Sequence, residues 1–291
     1  MASLLALTSS LFYALGMVVA RIGLRDMDTF SGGLISMGFS LIGALVLFLF
    51  YLPIHEIAAQ AIVCFVVAGI SGPCIGRLLL YFGINRLGSS IAASLYATQP
   101  LFSAIAAVAL LGERITPGIG AGTLIIVVGL AIISSEESGG GAEKKWSRRD
   151  LIFPIMAGAA YGLSHVFRKI GLNINDEPVL GTVIQAIAAF SFPILFVFLR
   201  KKKADGAAWK STRGWMIFGL AGILSVMGQI CLFYALSLGE VVIVSPLSAT
   251  SQFFVLIMAA VFLRKSEIIT WKIVLGSILI AGAAILLGLM P

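Results

Sequence analysis

The chain has 291 residues, of which 59% are hydrophobic and 11% charged, with a net charge of +7. Soluble domains carry about twice that share of charge, and a fold in water has no means of hiding so much apolar side chain, so the composition excludes an ordinary globular domain and calls for a lipid bilayer as partner. The basic residues sit in short gaps between apolar stretches, the pattern that orients membrane proteins, which sets aside a nucleic-acid partner.

A helix crossing the hydrocarbon needs about 20 mostly apolar residues. Charges punctuate this chain into ten such stretches, at roughly 3–24, 31–52, 58–84, 88–111, 116–134, 151–172, 179–199, 213–237, 241–263 and 269–289. Backbone groups in lipid must find internal partners, and the runs do not alternate polar with apolar as barrel strands do, so each is read as a helix and the fold class as all-α, integral to the membrane. No Lys or Arg precedes Arg21, so the first stretch lacks the basic start of a signal peptide and reads as a mature helix. Cys64, Cys74 and Cys231 all lie in apolar stretches with no CxxC pair, which argues against a disulfide framework or a metal site.

Two polar breaks stand out, SEESGGGAEKKWSRRD at 135–150 and RKKKADGAAWKSTR at 200–213. The first divides the chain near its middle, and its glycines suit a linker. The halves on either side match. Tyr13-Ala-Leu-Gly-Met-Val-Val-Ala-Arg21-Ile-Gly23-Leu aligns with Tyr161-Gly-Leu-Ser-His-Val-Phe-Arg-Lys169-Ile-Gly171-Leu. Ala68-Gly69-Ile70 with Tyr81 aligns with Ala221-Gly222-Ile223 with Tyr234, Ala97-Thr98 with Ala249-Thr250, and Gly129 with Gly282, in one order and at offsets between 148 and 154. An ordered series of this kind indicates a repeat. The expected organisation is a five-helix unit at 1–135, a linker at 136–150 and a second five-helix unit at 151–291. An odd helix count sends the second copy into the membrane from the opposite side, which gives two inverted repeats, a common build of secondary transporters.

Tyr81-Phe-Gly-Ile-Asn, Ser90-Ile-Ala-Ala-Ser-Leu, Gln99-Pro100-Leu-Phe and Leu111-Gly112-Glu113-Arg114-Ile-Thr116 follow one another in the first half. This run resembles the drug/metabolite transporter superfamily, specifically its EamA-type members with ten helices, which show a similar Leu-Gly-Glu-Arg-Leu-Thr type turn between their fourth and fifth helices. The second half keeps Tyr234-Ala-Leu and Ser245-Pro246-Leu, but its turn reads Leu263-Arg264-Lys265-Ser266-Glu267. The resemblance implies a multi-pass transporter in the cell membrane and leaves the substrate open.

Polar residues inside apolar spans are costly and mark function. Arg77 aligns near Gln229, well inside an uninterrupted apolar span; it either faces a wet cavity or snorkels to the nearer interface, and the repeat favours the cavity. His165 follows Tyr161 by four residues and shares its helix face, and Tyr13 is the counterpart of Tyr161. Tyr81 pairs with Tyr234, and Gln229 lies one turn before Tyr234. Gln99 and Gln252 occupy similar places in the fourth and ninth spans. Each could simply pack or bond across helices; as a set on repeat-related helices they are candidate substrate-binding residues. Pro73, Pro100 and Pro246 interrupt spans 3, 4 and 9, and Gly72 with Gly76 has the spacing of close helix contact. Asp28, Glu56, Glu113, Glu240 and Glu267 all fall near span ends, so Arg77 reads as the one deep charge, which favours an anionic or zwitterionic substrate.

The leading reading is a secondary transporter or exporter of small polar metabolites, such as amino acids or organic anions, working by alternating access through a central cavity and needing no cofactor, metal or catalytic residue. The alternative is an integral membrane enzyme or a flippase of lipid-linked substrates; a purely structural protein is disfavoured by Arg77 and the repeat. The expected state is a monomer. Loops after odd-numbered spans hold 16 basic residues; those after even-numbered spans hold 3, Arg114, Arg168 and Lys169. Basic loops face the cytoplasm, which places both ends of this chain outside, whereas the family resemblance implies the reverse.

Overall fold

The structure, a computed structural model, describes residues 1–51, 56–114, 116–134, 147–200, 211–251, 254–255, 257–258 and 270–288. Every regular element among them is helical: α1 (Ala2–Gly23), α2 (Thr29–Leu49), α3 (Ala59–Leu87), α4 (Ser89–Tyr96), α5 (Gln99–Leu111), α6 (Pro117–Ser134), α7 (Ile152–Ile174), α8 (Pro178–Arg200), α9 (Thr212–Leu238), α10 (Val241–Ser248) and α11 (Trp271–Gly288). Among the described residues, six stretches are long and apolar enough to cross a membrane, carried by α1, α2, α3, α7 with the turn before it, α8 and α9. Outward side chains are apolar on these and on the remaining helices: Leu4, Leu49, Leu124, Met216 and Ile278 are all exposed. Lipid solvates such a surface at no cost, while helices keep every backbone group paired.

Short-range chemistry sets the ends. The Asp28 carboxylate accepts from Ser31 N at 2.8 Å and starts α2; Ser211 does the same for α9 through Gly214 N at 3.0 Å. Gly88 (φ 89°) reverses the chain between α3 and α4 in a single residue, a backbone state open chiefly to glycine. The expected fourth span is broken. α4 stops at Tyr96, Ala97 and Thr98 form a turn, and α5 resumes with Pro100 in its first turn, where the missing N–H is no loss. Val241–Ser248 ends in the same way at Ala249 and Thr250, just after Pro246. Thr98 Oγ1 donates back to Leu95 O at 2.9 Å, and Thr250 Oγ1 to Leu247 O at 2.8 Å.

The third span holds a different irregularity. Ile70–Gly76 is a π-helical stretch with Pro73 inside it. Proline cannot donate to the ladder, and the wider turn absorbs the defect by admitting one extra residue. α9 runs regularly from Thr212 to Leu238 with no such insertion.

Long-range contacts come in pairs. α1 packs along α9, and α3 along α7. Phe218 fills the space left by Gly23 and Gly32, while Phe65 fills that left by Gly171 and Gly181. A Cβ on Gly69 would sit 2.4 Å from Gln185 O, and one on Gly222 would sit 2.4 Å from Ser36 O. Arg21 Nη1 donates to Ile84 O at 3.0 Å, and Lys169 Nζ to Leu236 O at 2.8 Å. Phe65 meets Phe233 with ring centroids 5.7 Å apart, and Phe218 meets Tyr81 at 5.9 Å.

The last pair corrects the sequence alignment. Tyr81 has Phe233, not Tyr234, as its contact counterpart, because the extra residue of the π stretch shifts everything after it in α3 by one position against α9. A second correction concerns Arg168 and Lys169. They are not loop residues, since α7 runs on to Ile174; the same holds for Arg21 of α1, Arg86 of α3, Arg200 of α8, Arg213 of α9 and Lys272 of α11, so both sides of the count fall and the bias toward odd-numbered loops stays.

Candidate functional site

The site is built where α7 meets the broken fourth span. Gly158 and Gly162 leave room for the break: a Cβ on Gly158 would meet Thr98 Oγ1 at 2.8 Å, and one on Gly162 would meet Ser103 N at 2.9 Å. Gly72 and Gly76 of the π stretch leave a slot for the Tyr161 ring, whose carbons would lie 3.2 and 2.7 Å from a Cβ at those positions. The GxxxG spacing thus seats an aromatic ring at the interface of α3 and α7. Tyr96 closes against Tyr161 edge to face, with centroids 5.5 Å apart.

These side chains surround a cavity of about 40 Å³ inside the bundle, room for about three waters. Tyr13, Arg77, Tyr81, Gln99, Tyr161 and His165 all line it, so the structure brings together six of the nine residues singled out from the sequence. Gln229 lies beside them, sharing a narrower space with Arg77, Ser40 and Pro73. Tyr234 does not join: it is 37% exposed on the outside of α9, the position to which the one-residue shift carries it. Gln252 lies outside the described residues. Sequence reasoning missed Tyr96, Ser225, Ser248 and Ser251, which with Gly16, Met17 and Leu80 complete the lining. Tyr96 stands three residues before Gln99, and that spacing was the available signal.

Arg77 is 3% exposed. Its Nη1 donates to Ser36 Oγ at 3.2 Å and Ser40 Oγ at 3.1 Å. Ser36 Oγ and Tyr81 Oη share a hydrogen bond of 3.3 Å, and Ser40 Oγ lies 2.9 Å from the carbonyls of Ser36 and Gly222. The cation is therefore held by neutral oxygens, and among the described residues no carboxylate forms an ion pair with it. Across the cavity, Gln99 Nε2 donates to the His165 ring at 3.0 Å, which needs a lone pair on the facing ring nitrogen and so a neutral imidazole. Gln99 also reaches Ser245 Oγ at 3.4 Å, and Ser245 donates to Ser103 Oγ at 2.8 Å, tying α5 to α10.

A second arginine lies deeper. Arg168 of α7 is 0% exposed, so Arg77 is not the only deep charge. Arg168 Nε donates to Gln185 Oε1 at 2.6 Å, Gln185 in turn donates to Gln229 Oε1, and the guanidinium lies 5.3 Å from the Phe233 ring centre. Its neighbour Lys169 snorkels to a backbone carbonyl.

Glu113 holds the far end of the site together. Gly112, in the left-handed region (φ 70°), ends α5, and the Glu113 carboxylate accepts from Val241 N at 3.1 Å and Val242 N at 3.0 Å. It thus supplies acceptors to the start of α10, where helices carry unpaired donors and partial positive charge. Burial pushes the Glu113 carboxyl above its ordinary range, with those two N–H groups pulling the other way. Among the described residues there is no group of three His, Cys, Asp or Glu placed to hold a metal.

The model of the EamA-like transporter family matches residues 1–135 and again residues 149–289. The chain belongs to the EamA-like transporter family. The two matched stretches lie on either side of the Gly-rich break. A protein of Archaeoglobus fulgidus described as an uncharacterized transporter is 24% identical over 292 residues, covering 99% of this chain and 98% of that one. A solved structure titled only as the crystal structure of a protein superposes with a TM-score of 0.68 at 15% identity, over 98% of this chain and 95% of the other; at that identity the likeness speaks for the fold alone. Family and relative together make this a membrane transporter.

Proposed function

We propose that the protein is a secondary transporter of the cell membrane that moves small anionic or zwitterionic metabolites, such as amino acids or organic acids, by alternating access through the Arg77 cavity. The observation that carries this reading is Arg77 itself. A buried guanidinium held by uncharged hydroxyls, those of Ser36 and Ser40 with Tyr161 beside it, stays charged and lacks the counter-charge that a buried ion needs; a substrate carboxylate would supply it. The tyrosine rings around it suit a small organic body.

The ten-span reading, with units at 1–135 and 151–291 inverted about the linker 136–150, is supported by the paired contacts. Gly23 with Phe218 answers Gly171 with Phe65, and Arg21 on Ile84 O answers Lys169 on Leu236 O. The first helix of each half packs on the third of the other, as a two-fold relation between the halves requires; an odd number of spans per half would make that relation an inversion. A cavity for about three waters is too small for an amino acid. Loading therefore needs the halves to part, and the breaks at Thr98 and Thr250 are natural places for that bend.

The test is counterflow in proteoliposomes with amino acids and organic acids, comparing the native protein with Arg77→Gln. Charge-assisted hydrogen bonds are worth about 1.5–3 kcal/mol, so the variant should lose roughly 10- to 100-fold in apparent affinity. Unchanged transport by a variant that elutes and melts like the native protein would remove Arg77 as the anchor.

A further inference from the structure

Tyr161, His165 and Arg168 fall at i, i+4 and i+7 on α7, one face of a helix. The first two line the cavity, and Arg168 continues the same stripe one turn deeper. Its Nη1 and Nη2 are buried and make no well-formed hydrogen bond among the described residues, and neither does the hydroxyl of Tyr13 that faces them. The Phe233 ring shares some of the guanidinium charge but offers no acceptor, and among the described residues no carboxylate pairs with Arg168.

Tyr13 stands between the two places. It lines the cavity, and its ring carbons lie 3.3 Å from where a Cβ on Gly228 would stand. The next residue, Gln229, ends the chain of amides that starts at Arg168. The Tyr13 hydroxyl faces the Arg168 guanidinium and is its nearest polar contact besides Gln185, a loose one that a better acceptor would displace. Movement of one aromatic ring would join the cavity to the second guanidinium.

We propose that Arg168 is a second anion anchor of this site, reached past Tyr13, and that the transported substrate carries two negative charges, as a dicarboxylate or a phosphate monoester does. This rests on Arg77 as the first anchor. Two fixed cations face no described carboxylate: a monoanion would leave one uncompensated, while a dianion satisfies both. Once Tyr13 moves aside, the Nη1 and Nη2 hydrogens match the paired oxygens of a carboxylate or phosphoryl group.

The test is binding to the purified full chain, read by intrinsic fluorescence, with three probes: succinate, butyrate (the same carbon count with one charge) and glycerol phosphate. The native protein should bind at least one dianion 10-fold or more tightly than butyrate; whether succinate or the phosphate ester is the one identifies the source of the charge. Arg168→Gln should bring dianion binding down to the butyrate level, and Arg168→Lys should restore part of the preference. Arg77→Gln should weaken all three. Equal binding of butyrate and both dianions by the native protein would overturn the proposal without any variant having to fold, as would a preference that survives Arg168→Gln. If Arg77→Gln binds every probe normally, the fault lies with the first anchor instead.

Discussion

The two closest helix crossings, Gly69 against Gln185 O and Gly222 against Ser36 O, can be loaded with one methyl group each. In either case the new Cβ would lie 2.4 Å from a backbone oxygen, whereas real Cβ contacts essentially never fall below 3.0 Å. A carbonyl within a helix cannot swing aside as a side-chain tip can, so the helices themselves must part. Overpacking of this kind costs about 1–3 kcal/mol, and alanine returns about 1 kcal/mol of helix propensity over glycine. With backbone as the obstacle the upper end applies, and Gly69→Ala and Gly222→Ala should each destabilise by about 2 kcal/mol. The controls are Gly120→Ala and Gly282→Ala, where a Cβ meets nothing within 4 Å; these should be neutral or stabilised by up to about 1 kcal/mol. Thermal unfolding in detergent, followed by the reaction of buried Cys74 with a thiol dye, reads all four. If the first pair melts with the controls, or if only one of them suffers, the matched packing of the halves is not what holds the bundle.

Phe65→Ala and Phe218→Ala each empty a pocket between two glycines and should cost about 3–5 kcal/mol by the same assay, in similar measure if the pairing holds. The Glu113 carboxyl titrates above its ordinary value, so the folded protein binds its proton more tightly than the unfolded chain does. That stabilising contribution is complete at pH below the ordinary value of 4.5 and is lost as pH rises through the raised one,. Glu113→Gln should flatten this part of the stability profile, on the side above the ordinary carboxyl value, and an unchanged slope would assign it to another group. For orientation, single cysteines at Gly140 and Asp205 in a background without Cys64, Cys74 and Cys231 should resist an impermeant reagent in intact cells, as the basic loops require; ready labelling of both would reverse the topology.

The sequence showed most where a polar residue interrupts a long apolar run. Tyr13, Arg77, Gln99, Tyr161 and His165 were legible because nothing around them shares their polarity. Arg168 was hidden by its neighbour, since Arg168-Lys169 together look like the end of a span. Only the coordinates reveal that one of the pair stays in the bundle while the other reaches a carbonyl. Tyr234 failed for the opposite reason. Identity with Tyr81 at a plausible offset outweighed a one-residue insertion that leaves no mark in hydropathy, although Pro73 within Ile70–Gly76 was a visible sign that the ladder there would not be regular.

That insertion bears on energetics as well as geometry. In a duplicated molecule whose halves exchange roles, the inward-open and outward-open forms would be mirror descriptions of each other and equal in energy. The halves differ at many side chains, and the extra residue in α3, absent from α9, adds a difference of backbone, so the two forms are not equivalent. On the alternating-access reading, that turn is one place in the fold where a preference for filling the cavity from one side of the membrane can be stored.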